Sequence, residues 1–216
     1  MSLLIRGGVR KRLLVGIAGG SGAGKTFFAS KLVEVLGVEN ASSIGFDNYY
    51  HDLSRLSAGE IGNWNFDRPE AIDFKLLKKD LRTLREGRSL HLPEYDFSSR
   101  KRSSSSRKIE ARKVFLFEGI LALCDDEICG LYDLSVYLDV PADIRLIRRI
   151  RRDIAERGFS LSGILEQYER SVRPMHKKFI EPSKAKANIV LNMEEMSTEQ
   201  AVTRIAAIVR ERVDLP

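Results

Sequence analysis

Leu13-Leu-Val-Gly-Ile-Ala-Gly-Gly-Ser-Gly-Ala-Gly-Lys-Thr26 decides how the rest of the chain is read. Leu13 to Ala18 is an apolar run, the mark of a strand buried on both faces of a parallel sheet. The run stops at a glycine-rich turn, Gly19 to Gly24, and Lys25-Thr26 open a helix. Gly19, Gly24, Lys25 and Thr26 fit G-x-x-x-x-G-K-[ST], a phosphate-binding loop. Four glycines (Gly19, Gly20, Gly22, Gly24) allow positive φ, so successive N–H groups can turn inward around a polyphosphate. The helix behind them aims its N-terminal dipole at the same anion. Gly19, Gly20, Ser21, Gly22, Ala23, Gly24, Lys25 and Thr26 are therefore the expected phosphate-binding residues. Lys25 supplies a mobile charge, and the Thr26 hydroxyl is placed to bind Mg²⁺.

Outward from this loop, strand and helix signals alternate. Phe28, Leu32 and Leu36 give one helix an apolar face, ended by Gly37. Ser42 to Phe46 reads as a short strand leading into Asp47, and residues 51–70 read as irregular. Phe74, Leu77, Leu81 and Leu84 mark a helix closed by Gly87. Ser89 to Phe97 and Lys108 to Arg112 read as hairpin arms, joined by a mobile Ser/Arg/Lys connection from Ser98 to Arg107. Val114 to Phe117, Leu134 to Val140 and Ala187 to Leu191 are further strands. Pro141 opens a helix with Arg145, Arg148, Arg149 and Arg152 on one face and Leu146, Ile150 and Ile154 on the other. Leu161, Leu165, Tyr168 and Val172 mark a helix interrupted at Pro174. Ser197-x-x-Gln200 caps a last one, with Val202, Ile205 and Val209 facing inward. The alternation predicts an α/β fold, a parallel sheet flanked by helices. One domain over residues 1–216 is expected, with the hairpin (about 89–112) and the arginine helix (about 143–158) as its insertion and lid.

The chain has 216 residues, 43% of them hydrophobic, enough for one substantial core. Its net charge of +6 points to an anionic partner, met by nucleotide or by nucleic acid. Cys124 and Cys129 have no second Cys or His pair nearby, so two idle thiols in a reducing cytoplasm are expected rather than zinc. Met1 to Arg12 lacks the apolar stretch of a signal peptide, and no run approaches membrane-spanning length. No histidine is assigned a role.

Glu118 follows an apolar strand, where a second Mg²⁺-organising acid stands in phosphate-loop enzymes. Asp47 ends the neighbouring strand, at the sheet edge where open α/β proteins bind ligands, and can take a proton from an attacking hydroxyl. Arginines with almost no interleaved acids repel one another unless an anion sits between them, which suits a lid closing on phosphates. Both guanine-switch signatures of a regulatory GTPase are missing: no Asn precedes Lys, and no Asp stands three before Gly.

From about Leu13 to Leu191 the chain resembles the uridine (uridine–cytidine) kinases, phosphate-loop kinases related to phosphoribulokinase. The likeness rests on Gly16 to Thr26, Asp47-Asn-Tyr-Tyr50, Asn65-Phe-Asp-Arg-Pro69 and Leu92-Pro-Glu-Tyr-Asp-Phe97. It continues in Phe117-Glu-Gly-Ile-Leu121, Arg148 to Gly158 and Gln167-Tyr-x4-Arg-Pro174. The resemblance implies Asp47 as the base for the 5′-hydroxyl and a metal-site acid beside Thr26 and Glu118. It implies Asp67 as the holder of the ribose 2′- and 3′-hydroxyls. Tyr50, Phe66, Tyr95 and Phe97 would line the nucleoside pocket, with Arg100 and Gln167 near the base. Arg149, Arg152 and Arg157 would contact substrate or phosphates. Mg-ATP or Mg-GTP as donor and a homotetramer are implied too, with no nucleic acid and no membrane as partner. The alternatives are a related kinase for another small alcohol and a nucleic-acid-binding ATPase. Where the family commonly has histidine this chain has Arg100, and Phe159 replaces an arginine. Arginine only donates hydrogen bonds, which favours uridine over cytidine.

Overall fold

Five parallel strands form the central sheet, in the order β2-β5-β1-β6-β7. They are β1 (Leu13–Ala18), β2 (Ala41–Gly45), β5 (Val114–Glu118), β6 (Leu134–Asp139) and β7 (Ile189–Asn192). A two-stranded antiparallel hairpin, β3 (Leu90–Asp96) with β4 (Lys101–Ile109), stands apart from that sheet. The structure, a computed structural model, describes residues 11–96, 99 and 101–215. Phe97 and Arg100 lie outside the described residues.

The run at β1 is buried at every position, because strands cover it on both edges and helices on both faces. Leu13, Val15 and Ile17 face helix α1 (Lys25–Leu36) and the C-terminal helix Thr198–Arg212, whose Phe28, Leu32, Ile205 and Val209 complete that core. Leu14 and Ala18 face the other way, with Phe115, Phe117 and Tyr137. There α3 (Phe74–Arg85) supplies Leu77, Leu81 and Leu84, and the hairpin supplies Leu90, Leu92 and Ile109. The capping box expected at the last helix is present: Ser197 N donates to Gln200 Oε1 at 2.8 Å, and Gln200 N to Ser197 Oγ at 3.2 Å.

Four expectations are corrected. Residues 51–70 contain a short helix, α2 (Ala58–Asn63), started by a capping box between Ser57 and Glu60. The Ser/Arg/Lys stretch is largely strand β4, since its residues pair in register with β3: Leu92 opposite Arg107, Pro93 opposite Ser106, Tyr95 opposite Arg102. Ser105 Oγ also donates across the hairpin to Glu94 at 2.7 Å. Pro174 does not end its helix. After α6 (Leu161–Gln167), the path continues through widened π turns at Tyr168–Val172 and His176–Ile180. Wider turns change which carbonyl each N–H reaches, so a residue without an N–H is accommodated. Ile164, Val172 and Ile180 face the core, and Leu161 and Leu165 lie exposed.

Helix α5 (Ala142–Arg157) is inverted relative to expectation. It buries Arg145, Arg149 and Asp153, a stripe at four-residue spacing. Ile154 is exposed, Leu146 and Ile150 are half-buried, and Arg148 points to solvent. The helix lies over a polar cleft and turns its charged stripe inward.

Candidate active site

The loop after β1 leaves the middle of the sheet at the carboxyl ends of the strands, where open α/β folds bind ligands. Three of its glycines, Gly19, Gly22 and Gly24, take positive φ; Gly20 does not. A Cβ at Gly20 would stand 2.4 Å from an Arg145 guanidinium nitrogen, so that side chain would have to shift. At Gly22, with φ +81°, a Cβ would stand 2.2 Å from the Arg145 carbonyl oxygen. Loop and arginine helix are thus fitted to each other through main chain.

Lys25 is buried, and its ammonium donates to Gly20 O at 3.0 Å. Burial pulls its pKa down from the ordinary lysine value, and the charges of Glu118 and Asp47 oppose that shift. The parallel register places Glu118 opposite Ile17 of β1 and Gly45 of β2, between the phosphate loop and the turn bearing Asp47. Thr26 Oγ1 donates to Glu118 Oε1 at 2.9 Å. Burial raises the Glu118 pKa, Lys25 holds it down, and Asp47 pushes it up.

Asp47 sits in the one-turn 3₁₀ helix Phe46–Tyr49 at the end of β2. Solvent reaches the residue, yet protein packs densely around its carboxyl, as at the floor of an open cleft. That crowding raises its pKa, while Lys25, Arg157 and a hydrogen bond from Tyr50 lower it. The turn is pinned from three sides. Tyr49, fully buried, donates to Asp80 Oδ2 at 3.1 Å. Asp73 N donates to Tyr49 O at 2.8 Å. Arg102 of β4 donates to Tyr50 O at 3.0 Å and to Asp73 Oδ2 at 3.2 Å.

Beside Asp47 three aromatic rings meet edge to face. Tyr50 lies 4.9 Å from Phe66 and 5.5 Å from Tyr95, and Phe66 lies 6.1 Å from Tyr95. Such a cluster offers apolar walls to a flat ligand. Asp67 follows Phe66 and is 9% exposed. Burial raises its pKa, against a hydrogen bond from Ser171 and the charge of Arg149.

Arg149 ties these parts together. It donates to Ser21 Oγ of the phosphate loop at 2.8 Å and to Gln167 Oε1 at 2.8 Å. Gln167 thus reaches the arginine helix. Arg149, Arg152 and Arg157 all converge on Asp153, which is completely buried. Asp153 is the interleaved acid that the repulsion argument overlooked. Its spacing of four from both Arg149 and Arg157 is the signal that could have found it. Arg145, also buried, donates to Val140 O at 2.9 Å and lies 3.1 Å from His176 Nε2. Asn65, Ser171 and Arg102 were likewise not expected to organise the site.

The donors at Thr26 and Glu118 fit Mg²⁺. Both offer oxygen, they stand 2.9 Å apart at the loop, and Mg²⁺ takes few protein ligands beside water and phosphate oxygens. Among the described residues no group of three or more His, Cys, Asp or Glu is arranged to hold a metal alone. The cysteines are free and half-buried, and burial pushes the Cys124 thiol up to about 12, as expected of an unreactive thiol. No helix among the described residues is long and apolar enough to cross a membrane.

A phosphate loop at the head of a parallel sheet, facing acids across a cleft roofed by arginines, defines a P-loop kinase. Solved structures of this fold include phosphoribulokinase from Rhodobacter spheroides (TM-score 0.63, 18% identity, covering 83% of this chain and 69% of that one). Another is D-glycerate 3-kinase from Cryptococcus neoformans (TM-score 0.59, 16% identity, covering 81% and 80%). Residues 14–200 match the phosphoribulokinase/uridine kinase family, and the chain belongs to it. Among its relatives, a uridine kinase of Halobacterium salinarum is 43% identical over 82% of this chain and 78% of its own length. One of Ligilactobacillus salivarius is 38% identical over 94% and 96%.

Proposed function

We propose that this chain transfers the γ-phosphoryl group of a nucleoside triphosphate, ATP or GTP, to the 5′-hydroxyl of uridine. The observation that carries the reading is the meeting of Lys25, Glu118, Asp47 and Asp67 in one charge-coupled group beside the Tyr50–Phe66–Tyr95 cluster. Phosphoryl transfer asks the protein mainly for positioning and charge compensation. The loop N–H groups and Lys25 hold the donor phosphates, and Arg149, Arg152 and Arg157 bring positive charge from the opposite side. Thr26 and Glu118, with Asp47 beside them, would hold Mg²⁺, which would supply charge neutralisation to the donor phosphates. Asp47 accepts the 5′-hydroxyl proton; its raised pKa makes it a better base than an ordinary aspartate. Asp67 offers carboxylate lone pairs to the O–H groups of a vicinal diol. Tyr50, Phe66 and Tyr95 flank the base, and Gln167 supplies a polar contact near it.

The relatives named uridine kinase support this acceptor. One folding unit, a cytoplasmic location and a homotetramer complete the proposal. The test is a coupled assay of the purified protein with Mg-ATP or Mg-GTP against uridine, cytidine, 2′-deoxyuridine and small alcohols such as glycerate. Uridine is expected to have the highest kcat/KM, with cytidine behind it. Preference for a small alcohol would overturn the acceptor. ATP hydrolysis that responds only to single-stranded nucleic acid would overturn the kinase reading.

A further inference from the structure

Ser171 lies in the π-widened turn Tyr168–Val172, 104 residues along the chain from Asp67. Its Oγ stands 2.7 Å from Asn65 Oδ1 and 3.0 Å from Asp67 Oδ2. Asn65 Oδ1 also accepts from Asp67 N at 2.9 Å, so one amide oxygen and one hydroxyl clamp Asp67 from two sides. Among the described residues, Ser171 is the one hydrogen-bond donor to that carboxylate.

We propose that Ser171 is a positioning residue for nucleoside recognition, orienting the Asp67 carboxylate so that its other oxygen is left for the ribose diol. The inference rests on the reading that Asp67 holds that diol. A hydroxyl carries one hydrogen, and here two acceptors share it. A donor on Oδ2 fixes the plane of the carboxylate, whose terminal torsion is otherwise broad. It also favours the ionised form of a carboxyl that burial disfavours. Oδ1 then keeps both lone pairs for ligand hydroxyls. Val172, buried next in sequence, anchors the turn to the core, so the hydroxyl is presented from a fixed backbone. The same segment carries Gln167 at its start, and Gln167 holds Arg149. The ribose site is thereby joined to the helix that roofs the phosphates.

The test is steady-state kinetics of wild type, Ser171→Ala, Ser171→Thr and Asp67→Asn with uridine and 2′-deoxyuridine. The KM for ATP and the Tm of each variant are measured in parallel. In wild type, uridine is expected to have the lower KM. Ser171→Ala should raise the uridine KM about five- to tenfold, the scale of one net hydrogen bond. Its kcat and its KM for ATP should stay within about twofold of wild type, and the preference for uridine over 2′-deoxyuridine should narrow. Ser171→Thr, which keeps the hydroxyl, should restore both. An unchanged uridine KM and preference in Ser171→Ala would overturn the proposal. So would a loss shared equally by both nucleosides and ATP with a lowered Tm, the mark of a merely structural contact. If wild type does not distinguish the two nucleosides, or Asp67→Asn leaves the uridine KM unaltered, the reading of Asp67 itself has failed.

Discussion

Lys25 and Asp47 are oppositely charged groups whose pKa values burial shifts toward each other, the lysine's down and the aspartate's up. Neither shift serves stability, and both suit the proposed site, which must handle a proton and a phosphoryl group at neutral pH. Lys25→Ala removes a charge aimed at the cleft and none of the α1 core contacts. It should fold with an unchanged circular dichroism spectrum and lose ~10²-fold or more in kcat, the scale of one electrostatic stabiliser. Near-normal turnover would mean that the loop does not hold the reacting phosphates. Asp47→Asn keeps the shape and removes the proposed base, so kcat should fall by roughly 10²–10⁴-fold while the uridine KM moves little. An Asp47→Asn variant whose kcat stays near the wild-type value between pH 6 and 8 would reduce Asp47 to a structural or metal-site role. The glycine-rich turn between β1 and α1 was legible in the sequence because the spacing of Gly19, Gly22 and Gly24 encodes its backbone. Asn65 and Ser171 were not, because their role exists only where distant segments meet.

At the scale of elements, legibility followed the environment. β1 and the C-terminal helix could be read because their surroundings are uniformly apolar, or apolar on one face. β4 could not, since its serines and arginines gain strand structure only from pairing with β3. Helix α5 misled for a physical reason. Periodicity says which residues share a face but not whether that face meets a core or a charged cleft. Its arginines are held by Asp153, whose Oδ1 accepts from Arg152 at 2.8 Å and lies 3.4 Å from Arg157. Three guanidiniums to one carboxylate leave an excess of positive charge for an anion. Asp153→Ala should therefore do more than loosen the helix. The arginines lose their shared anchor and are left in like-charge contact, so the KM for ATP should rise by about tenfold or more, and Tm should fall. High phosphate, by binding between the freed arginines, should recover part of the Tm. Thermal scans with and without phosphate, paired with ATP kinetics, separate this from simple loss of packing.

For the molecule as a whole, the same groups set how stability depends on pH. Asp47, Asp67 and Asp80 are all raised from an ordinary 3.8, and Glu118 from 4.5, in each case first of all by burial. The native protein therefore holds these protons more tightly than the unfolded chain. Between the ordinary carboxyl values and the raised ones it binds more protons, so stability falls as pH rises through that window. His176 acts oppositely. Burial, and then the charge of Arg145, lower it from 6.5, so acidification below 6.5 costs stability. The raw dependence of Tm on pH mixes the two. The difference between Asp47→Asn and wild type isolates the acid, because His176 is common to both. Toward low pH the aspartate takes up its proton and comes to resemble the asparagine, so the Tm values should converge. As pH rises toward 7 the wild type must carry a crowded carboxylate and the variant need not. The variant should become the more stable protein while remaining the slower enzyme, the expected trade between function and stability. Scanning calorimetry of the two proteins from pH 4 to 8 decides it. A Tm difference that stays constant or reverses over that range would mean that Asp47 is not held against its own ionisation.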